Sequence, residues 1–287
     1  MIELHAVIDA LLAPINYLLE PGRRLFWWFL LSSLVVASIV VTIQQKRFDL
    51  VAQTKALFNR HYWFNKSTAQ DVGWLFTNSL IRLLILVPLL GSHLAATILV
   101  ASTLQKNLGD APIIEFNLFW IGALYTLVFF VAEDFSRFAL HRYMHRVPFL
   151  WKLHRVHHSA TQLTPITVHR IHPIEMTFYY LRGLIVFGLV SGVFVYFFGS
   201  KLHGWQILGV DLLGFLFNAF GANLRHTPIW LSFGFLERWF ISPAQHQIHH
   251  SSDPQHFDKN YGTCLAIWDR WTKSWVPAKG QVVKSYG

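Results

Sequence analysis

Residues 178–198 read FYYLRGLIVFGLVSGVFVYFF, an apolar run with a single charged residue, Arg182, near its start. A helix needs about 20 apolar residues to cross the hydrocarbon core of a bilayer, so this stretch is long enough to span it. Within hydrocarbon, a helix satisfies its own backbone hydrogen bonds. The run therefore predicts a transmembrane helix and points to a bundle of helices in a membrane.

Four other stretches have the same character, which makes five candidate spans. They are residues 25–43, 72–101, 117–132, 178–198 and 205–222. The second is long enough to be tilted, kinked near Pro88 or partly re-entrant, and the fifth is short and glycine-rich. We predict an all-α integral membrane bundle divided into an N-terminal membrane region of two spans, residues 1–116, and a second domain, residues 117–287.

The composition also indicates a membrane protein. Of the 287 residues, 53% are hydrophobic, 16% are aromatic and 14% are charged, and the formal net charge is +9. Because the basic residues are interleaved with long apolar runs, we interpret this charge as orienting the chain in the bilayer and expect no nucleic-acid partner. The single cysteine, Cys264, excludes an intramolecular disulfide framework and a cysteine-rich metal site.

The distribution of lysine and arginine predicts the orientation of the spans. These residues concentrate between spans one and two, between spans three and four, and after span five, whereas the loop at 102–116 carries only Lys106. Cytoplasmic loops accumulate lysine and arginine. The pattern therefore predicts an external amino terminus and a cytoplasmic C-terminal tail.

Ten of the sixteen histidines lie in four short segments with helical spacing. HRYMH contains His141 and His145, LHRVHH contains His154, His157 and His158, HRIHP contains His169 and His172, and QHQIHH contains His246, His249 and His250. Side chains three or four residues apart lie on one face of a helix, so each segment can direct two or three imidazoles to one point. This is the spacing of metal ligands.

The predicted topology brings these segments to one membrane face. The first three lie between spans three and four, and the fourth follows span five, so the hairpin of spans four and five returns it to the same side. His226, just after span five, would join them, and His172 is preferred to His169 because Pro173 and Glu175 follow it. A zinc site normally takes four ligands, so this number of histidines favours two ions. Imidazole binds iron, zinc, copper and nickel, and the residues alone leave the metal open.

The sequence lacks the carboxylate-containing motifs that would indicate other metal chemistry. The sequence has no ExxH pair, HExxH motif or facial His-His-carboxylate pattern, which argues against soluble di-iron carboxylate and zincin mechanisms. Five acidic residues near the histidine segments remain as possible acceptors for imidazole N–H groups. They are Glu133, Asp134, Glu175, Asp253 and Asp258.

Two rival classes of membrane protein predict different histidine patterns. A histidine-rich membrane metal transporter would carry His, Asp or Glu along the middle of its spans, and the spans between these segments are almost free of them. A haem-binding cytochrome b would carry single histidines facing each other on helices. The clustered segments favour a cytoplasmic helical cap that carries a histidine-rich dimetal site.

The segments HRYMH, HRVHH and HQIHH, together with HPIE and the tail DKNYGTCLAIWDRW, resemble the fatty acid hydroxylase and sterol desaturase superfamily of membrane di-iron enzymes over residues 129–275. The resemblance implies two iron ions (Fe2+/Fe3+), O2 as co-substrate and a separate electron donor such as cytochrome b5, ferredoxin or a similar reductase chain. It also implies that the iron ligands are His141, His145, His154, His157, His158, His246, His249 and His250, with His172 and His226 as additions.

Through this resemblance we expect a membrane-bound oxidoreductase that hydroxylates a fatty acyl, sterol, sphingoid or alkylglycerol chain. Attack on an unactivated C–H bond needs an oxidant that no side chain supplies, so the metal carries the chemistry and the protein positions the lipid. A desaturase acting at the same site is the alternative, because substrate placement decides between the two reactions. Zinc in a purified sample would be compatible with an iron enzyme, since imidazole sites accept the wrong ion during expression.

Overall fold

The computed structural model describes residues 4–112, 114, 116–199, 204–207 and 210–287. Helices dominate it, which confirms the predicted all-α class, and the strands in the described part are the two-residue pair β1 (Gln206–Ile207) and β2 (Val210–Asp211). The helices are α1 (Leu4–Asn16), α2 (Trp27–Gln45), α3 (Leu50–Leu57), α4 (Arg60–Trp63), α5 (Lys66–Ile81), α6 (Val87–Leu90), α7 (His93–Leu108), α8 (Leu118–Arg146), α9 (Pro148–His158), α10 (Pro173–Phe198), α11 (Leu212–Ala219), α12 (Pro243–His249) and α13 (Ile267–Trp271).

Four helical stretches are long and apolar enough to cross a membrane, and they coincide with the first four predicted spans. They are Trp27–Gln45, Lys66–Leu108, Leu118–Arg146 and Pro173–Phe198. Such a set of helices fits the predicted membrane protein, since each satisfies its backbone hydrogen bonds internally.

The second stretch is interrupted, as its length and Pro88 predicted. A π-helical turn, Arg82–Leu86, precedes α6, and proline at 88 removes one backbone donor from the helical ladder. The helix then ends at Gly91, whose φ of 81° is accessible to glycine, and Ser92 caps α7 by accepting a hydrogen bond from Ala95 N at 3.2 Å.

Close packing joins α7 and α10. A Cβ atom built on Gly188 would lie 3.3 Å from the Ala96 Cβ, and one on Gly192 would lie 2.5 Å from the Val100 Cβ. Small residues at such positions let two membrane helices approach closely. On its other side α10 contacts α8, where the Tyr125 hydroxyl lies 2.8 Å from the Ser191 hydroxyl.

The fifth predicted span, residues 205–222, does not form a spanning helix; its residues 208 and 209 lie outside the described ones. It contains β1, β2 and the eight-residue α11, which at 1.5 Å per residue is about 12 Å long against about 30 Å of hydrocarbon. The Asp211 carboxylate caps the start of α11, and Gly221, with a φ of 95°, follows its end. Because Trp205 N already donates to the Thr126 hydroxyl within α8 at 2.8 Å, the chain needs only a short segment to return to the histidines.

Candidate metal centre

Nine of the ten histidines predicted as ligands meet in two adjacent groups, and within each group the ligand atoms lie within 4.8 Å of one another. The first cluster consists of His141, His145, His154, His158 and His249. The second cluster consists of His157, His226, His246 and His250. The stacked rings of His158 and His250, 4.5 Å apart at their centroids, join the two clusters. The geometry is that of two neighbouring sites.

Two short helices divide their histidines between the clusters. In α9, His154 and His158 belong to the first cluster and His157 to the second. Residues four apart share a helix face, whereas adjacent residues point about 100° apart, so an HxxHH segment serves two sites at once. At α12 the same division places His249 in the first cluster and its neighbour His250 in the second.

Hydrogen bonds to backbone carbonyls fix the tautomers of two rings in the first cluster. His141 Nδ1 lies 2.7 Å from the Tyr261 carbonyl, and His249 Nδ1 lies 2.7 Å from the Lys259 carbonyl. A carbonyl oxygen only accepts, so both Nδ1 atoms donate and both Nε2 atoms carry lone pairs. These Nε2 atoms lie 3.1 Å apart. Two lone pairs repel at that distance, whereas a shared cation converts the contact into coordination.

The number of hydrogen-bond donors in the second cluster also indicates a cation between the rings. The Nε2 atoms of His226, His246 and His250 form a triangle with sides of 3.1, 3.2 and 3.2 Å. Each atom is either a donor or an acceptor, so three mutual hydrogen bonds cannot all be satisfied. A metal ion accommodates three convergent lone pairs. The residues present therefore fit a bound metal in both clusters.

Burial keeps these imidazoles neutral. It lowers the pKa of His154 to about 3 and that of His157 to about 4. Burial is also the main cause that holds the pKa values of the other ligands outside the spanning helices well below 6.5, and neighbouring histidines add to it. These ligands are His158, His226, His246, His249 and His250. Neutral rings offer the lone pairs that transition metals bind.

A buried carboxylate and a buried loop orient the first cluster. Glu175 Oε1 accepts a hydrogen bond from His154 Nδ1 at 2.6 Å, which leaves Nε2 free to face the cluster. Asp269 accepts from Tyr261 N at 2.9 Å and from the Gly262 N–H at 2.7 Å, and so holds the carbonyl that orients His141. The tail motif DKNYGTCLAIWDRW thus has a direct structural role.

The remaining predicted acceptors make other contacts. Glu133 pairs with Arg137 and Arg182, while Asp134 accepts from two backbone N–H groups and an indole of the tail. Asp258 lies 3.9 Å from His145, beyond hydrogen-bonding distance. Asp253 caps a 3-10 turn. The backbone carbonyls of residues 259 and 261 were missed from the sequence, and only the aspartate of the WDR motif could have pointed to them.

His172 is the one predicted ligand that lies outside both clusters. Its Nδ1 accepts a hydrogen bond from Ile174 N at 3.2 Å, and its ring centroid lies 6.5 Å from that of Trp74. As the residue that precedes the proline at the start of α10, it caps its own helix. His169, the less favoured neighbour, stacks on Tyr17 at 6.0 Å. His226, by contrast, is brought into the second cluster.

Comparisons with known proteins match the half of the chain that carries the histidine clusters. Residues 126–274 match the family model for fatty acid hydroxylase. The chain is 28% identical over 138 residues to alkylglycerol monooxygenase of Caenorhabditis elegans (48% of this chain, 24% of the relative) and 29% identical over 151 residues to ornithine lipid hydroxylase OlsE of Rhizobium tropici (53% and 41%). It is 27% identical over 154 residues to Delta(7)-sterol 5(6)-desaturase of Eremothecium gossypii (52% and 36%).

The matched region covers 24% to 41% of the length of these three relatives. No solved structure matches the chain significantly.

Proposed function

Because the chain belongs to the fatty acid hydroxylase family, we propose that it is a membrane-bound, O2-dependent di-iron oxidoreductase that hydroxylates a lipid. The observation that carries the proposal is the pair of adjacent clusters whose Nε2 atoms converge in an arrangement that hydrogen bonds among them cannot fully satisfy. The nine proposed ligands are His141, His145, His154, His157, His158, His226, His246, His249 and His250.

Two iron ions held there would supply the oxidising chemistry that activates O2 against an unactivated C–H bond. The chain's own part is to keep the imidazoles neutral by burial and to direct their lone pairs inward. The carbonyls of Tyr261 and Lys259 and the carboxylate of Glu175 do this by accepting from the outer ring nitrogens. The apolar helices position the lipid.

The remaining parts of the proposal concern placement and partners. The metal centre and the C-terminal tail face the cytoplasm, as the arginine-rich segments beside the clusters favour. Electrons come from a separate donor, such as cytochrome b5, ferredoxin or a similar reductase chain. Catalysis belongs to residues 117–287, which contain the matched residues 126–274.

Desaturation is the second candidate reaction, favoured by the similarity to a Delta(7)-sterol 5(6)-desaturase. The two reactions differ in their products. Hydroxylation adds one oxygen atom to the lipid, and desaturation removes two hydrogen atoms.

Iron quantitation and lipid mass spectrometry test the proposal together. Purified protein should hold about two iron ions per chain without a haem absorbance, since the ligands form two groups of the size that one ion uses. Cells that express it should accumulate a lipid that has gained one oxygen. His226→Ala should lose iron and product, whereas His172→Ala, a histidine outside both clusters, should retain them. No modified lipid from iron-loaded protein, or metal transport across vesicles, would overturn the enzyme assignment.

A further inference from the structure

A cavity of about 700 Å³ lies among α5, α8, α10, α11 and the segment that precedes α2. Its charged lining is predominantly basic. The basic lining residues are Arg23, Arg24, Arg82, Arg137 and Arg182, and the acidic ones are Glu133, Asp134 and Asp211. The cavity lining thus carries a formal excess of two positive charges, five arginines against three carboxylates.

The three carboxylates are already occupied. Asp134 accepts hydrogen bonds from two backbone N–H groups and an indole, and Asp211 caps α11 by accepting from two more backbone N–H groups. Glu133 lies 3.0 Å from the Arg137 guanidinium and 3.1 Å from that of Arg182. The other arginines of the cavity therefore form no ion pair with these three carboxylates.

Two of those arginines lack an acidic partner. Within the part of the chain that the structure describes, no carboxylate lies within salt-bridge distance of Arg24 or Arg82. Arg24 donates one hydrogen bond, to the Ala222 carbonyl at 3.4 Å. An arginine inside a membrane-spanning stretch, as Arg82 is, is costly unless it faces a cavity or a partner. The unpaired guanidiniums therefore indicate a ligand with negative charge.

A third polar group in the same cavity also lacks a partner. His169 Nε2 is buried and has no hydrogen-bond partner among the described residues. Its ring stacks on Tyr17, and the Arg23 guanidinium lies 4.3 Å above the same tyrosine ring. Buried polar atoms of native proteins are almost always hydrogen-bonded, so this nitrogen is an exception beside the cavity.

None of the clustered histidines lines the cavity, but two of its lining residues are close in sequence to groups that orient the first cluster. Met176 lines it and follows Glu175, which hydrogen-bonds His154 at 2.6 Å. Thr263 lines it as well, two residues after Tyr261, whose carbonyl orients His141. The cavity wall is therefore connected, through Met176 and Thr263, to the chain segments that orient the metal ligands.

We propose that this cavity binds the anionic headgroup of the lipid substrate, with Arg24 and Arg82 contacting the oxygens of a phosphate or a carboxylate. Guanidinium groups suit both anions because their N–H donors match two oxygens at once. This inference rests on the proposed function and names its substrate class: a lipid with a negatively charged oxyanion headgroup.

Equilibrium binding of three lipids with the same oleoyl chain tests the inference on the full-length, iron-loaded protein in neutral detergent. We expect lysophosphatidate, oleate or both to bind at least about tenfold more tightly than neutral monooleoylglycerol, since a hydrogen bond to a charged group contributes roughly a tenfold to hundredfold factor. The preferred anion identifies the headgroup. Equal binding of the neutral lipid, or of inorganic phosphate alone with the same affinity, would overturn the assignment.

Variants locate the binding site. Arg82→Gln and Arg24→Gln should each weaken binding of the anionic lipid about tenfold or more and leave binding of monooleoylglycerol unchanged. The control is Arg47→Gln, at an exposed arginine outside the cavity whose partner is Asp49 at 3.3 Å. Thermal melting verifies that the variants are folded, and Arg82→Lys should recover part of the affinity. Unchanged anionic binding in both glutamine variants contradicts the proposed site.

Product measurements separate this inference from the proposed function. His226→Ala should lose product formation and keep the preference for the anionic lipid. If the wild-type protein shows that preference but forms no product, the enzymatic proposal fails and the binding site stands. If the protein oxidises neutral lipids and Arg82→Gln leaves that rate unchanged, the enzymatic proposal stands and the headgroup site fails.

Discussion

Glu175 provides the sharpest test of how the protein holds its metal. Its Oε1 atom accepts from His154 Nδ1 at 2.6 Å, and both side chains are buried, at 2% and 3% exposure. Glu175→Ala leaves that buried N–H without an acceptor, which costs about 1–3 kcal/mol. At 1.4 kcal/mol per factor of ten, affinity for the ion in the first cluster should fall roughly tenfold to hundredfold, the range known for such outer partners. Glu175→Gln keeps an acceptor oxygen and should lose less.

Chelator titration with iron quantitation measures this effect. The chelator concentration that removes half of the iron from the first cluster should fall about tenfold to hundredfold in Glu175→Ala. Glu133→Gln is the matched control, because Glu133 is a partly buried carboxylate of α8 that pairs with arginines. Iron retention in Glu175→Ala equal to that of the wild-type protein, or equal loss in the control, would refute the role given to this hydrogen bond.

Two further perturbations test the packing and the burial of the histidines. Gly192→Ala places a Cβ atom 2.5 Å from the Val100 Cβ and should destabilise the protein by about 1–3 kcal/mol, seen as a lower thermal midpoint. Gly73→Ala, with open space around its Cβ, should not lower it. Burial lowers the pKa of His154 to about 3 and that of His157 to about 4. Below about pH 6.5 these two histidines are therefore protonated in the unfolded chain and neutral in the folded chain. Metal-free protein should keep its full free energy of unfolding above that pH. It should lose up to about 1.4 kcal/mol of that free energy per pH unit for each of these histidines as the pH falls toward 4. Thermal midpoints that do not change between pH 7.5 and 5 would contradict this.

Much of the site could be predicted because the spacing of the histidines along each helix determines which of them lie on the same face. Positions i and i+4 share a face of a helix wherever the helix lies, so HRYMH, HRVHH and HQIHH predicted convergent imidazoles before any tertiary contact was known. The groups that fix the tautomers could not be predicted in the same way. The acceptors for His141 and His249 are backbone carbonyls, which every residue possesses, and the loop that presents them is held by Asp269 from eight residues further along the chain.

His172 is the predicted ligand that the structure places outside both clusters. Its position near Pro173 and Glu175 favoured it as a ligand, but those residues are the start of α10, where a side chain that can accept a hydrogen bond caps the helix. The glutamate of the same turn does reach the centre, through His154. One short segment thus supplies a cap and a carboxylate, and the sequence pattern alone did not separate these roles.

The short α11 leaves room for the polar cavity beside α8. A full fifth span would pack an unbroken apolar helix against α8 along its length. The chain instead rejoins α8 partway, at Thr126, and α11 contributes Gly214 and Phe217 to the cavity lining. The guanidinium of Arg24 lies 5.4 Å from the Phe217 ring, and that of Arg225, next to His226, lies 4.7 Å from it. The short α11 therefore holds two cations against its Phe217 ring, and one of them, Arg225, directly precedes a histidine of the second cluster in the chain.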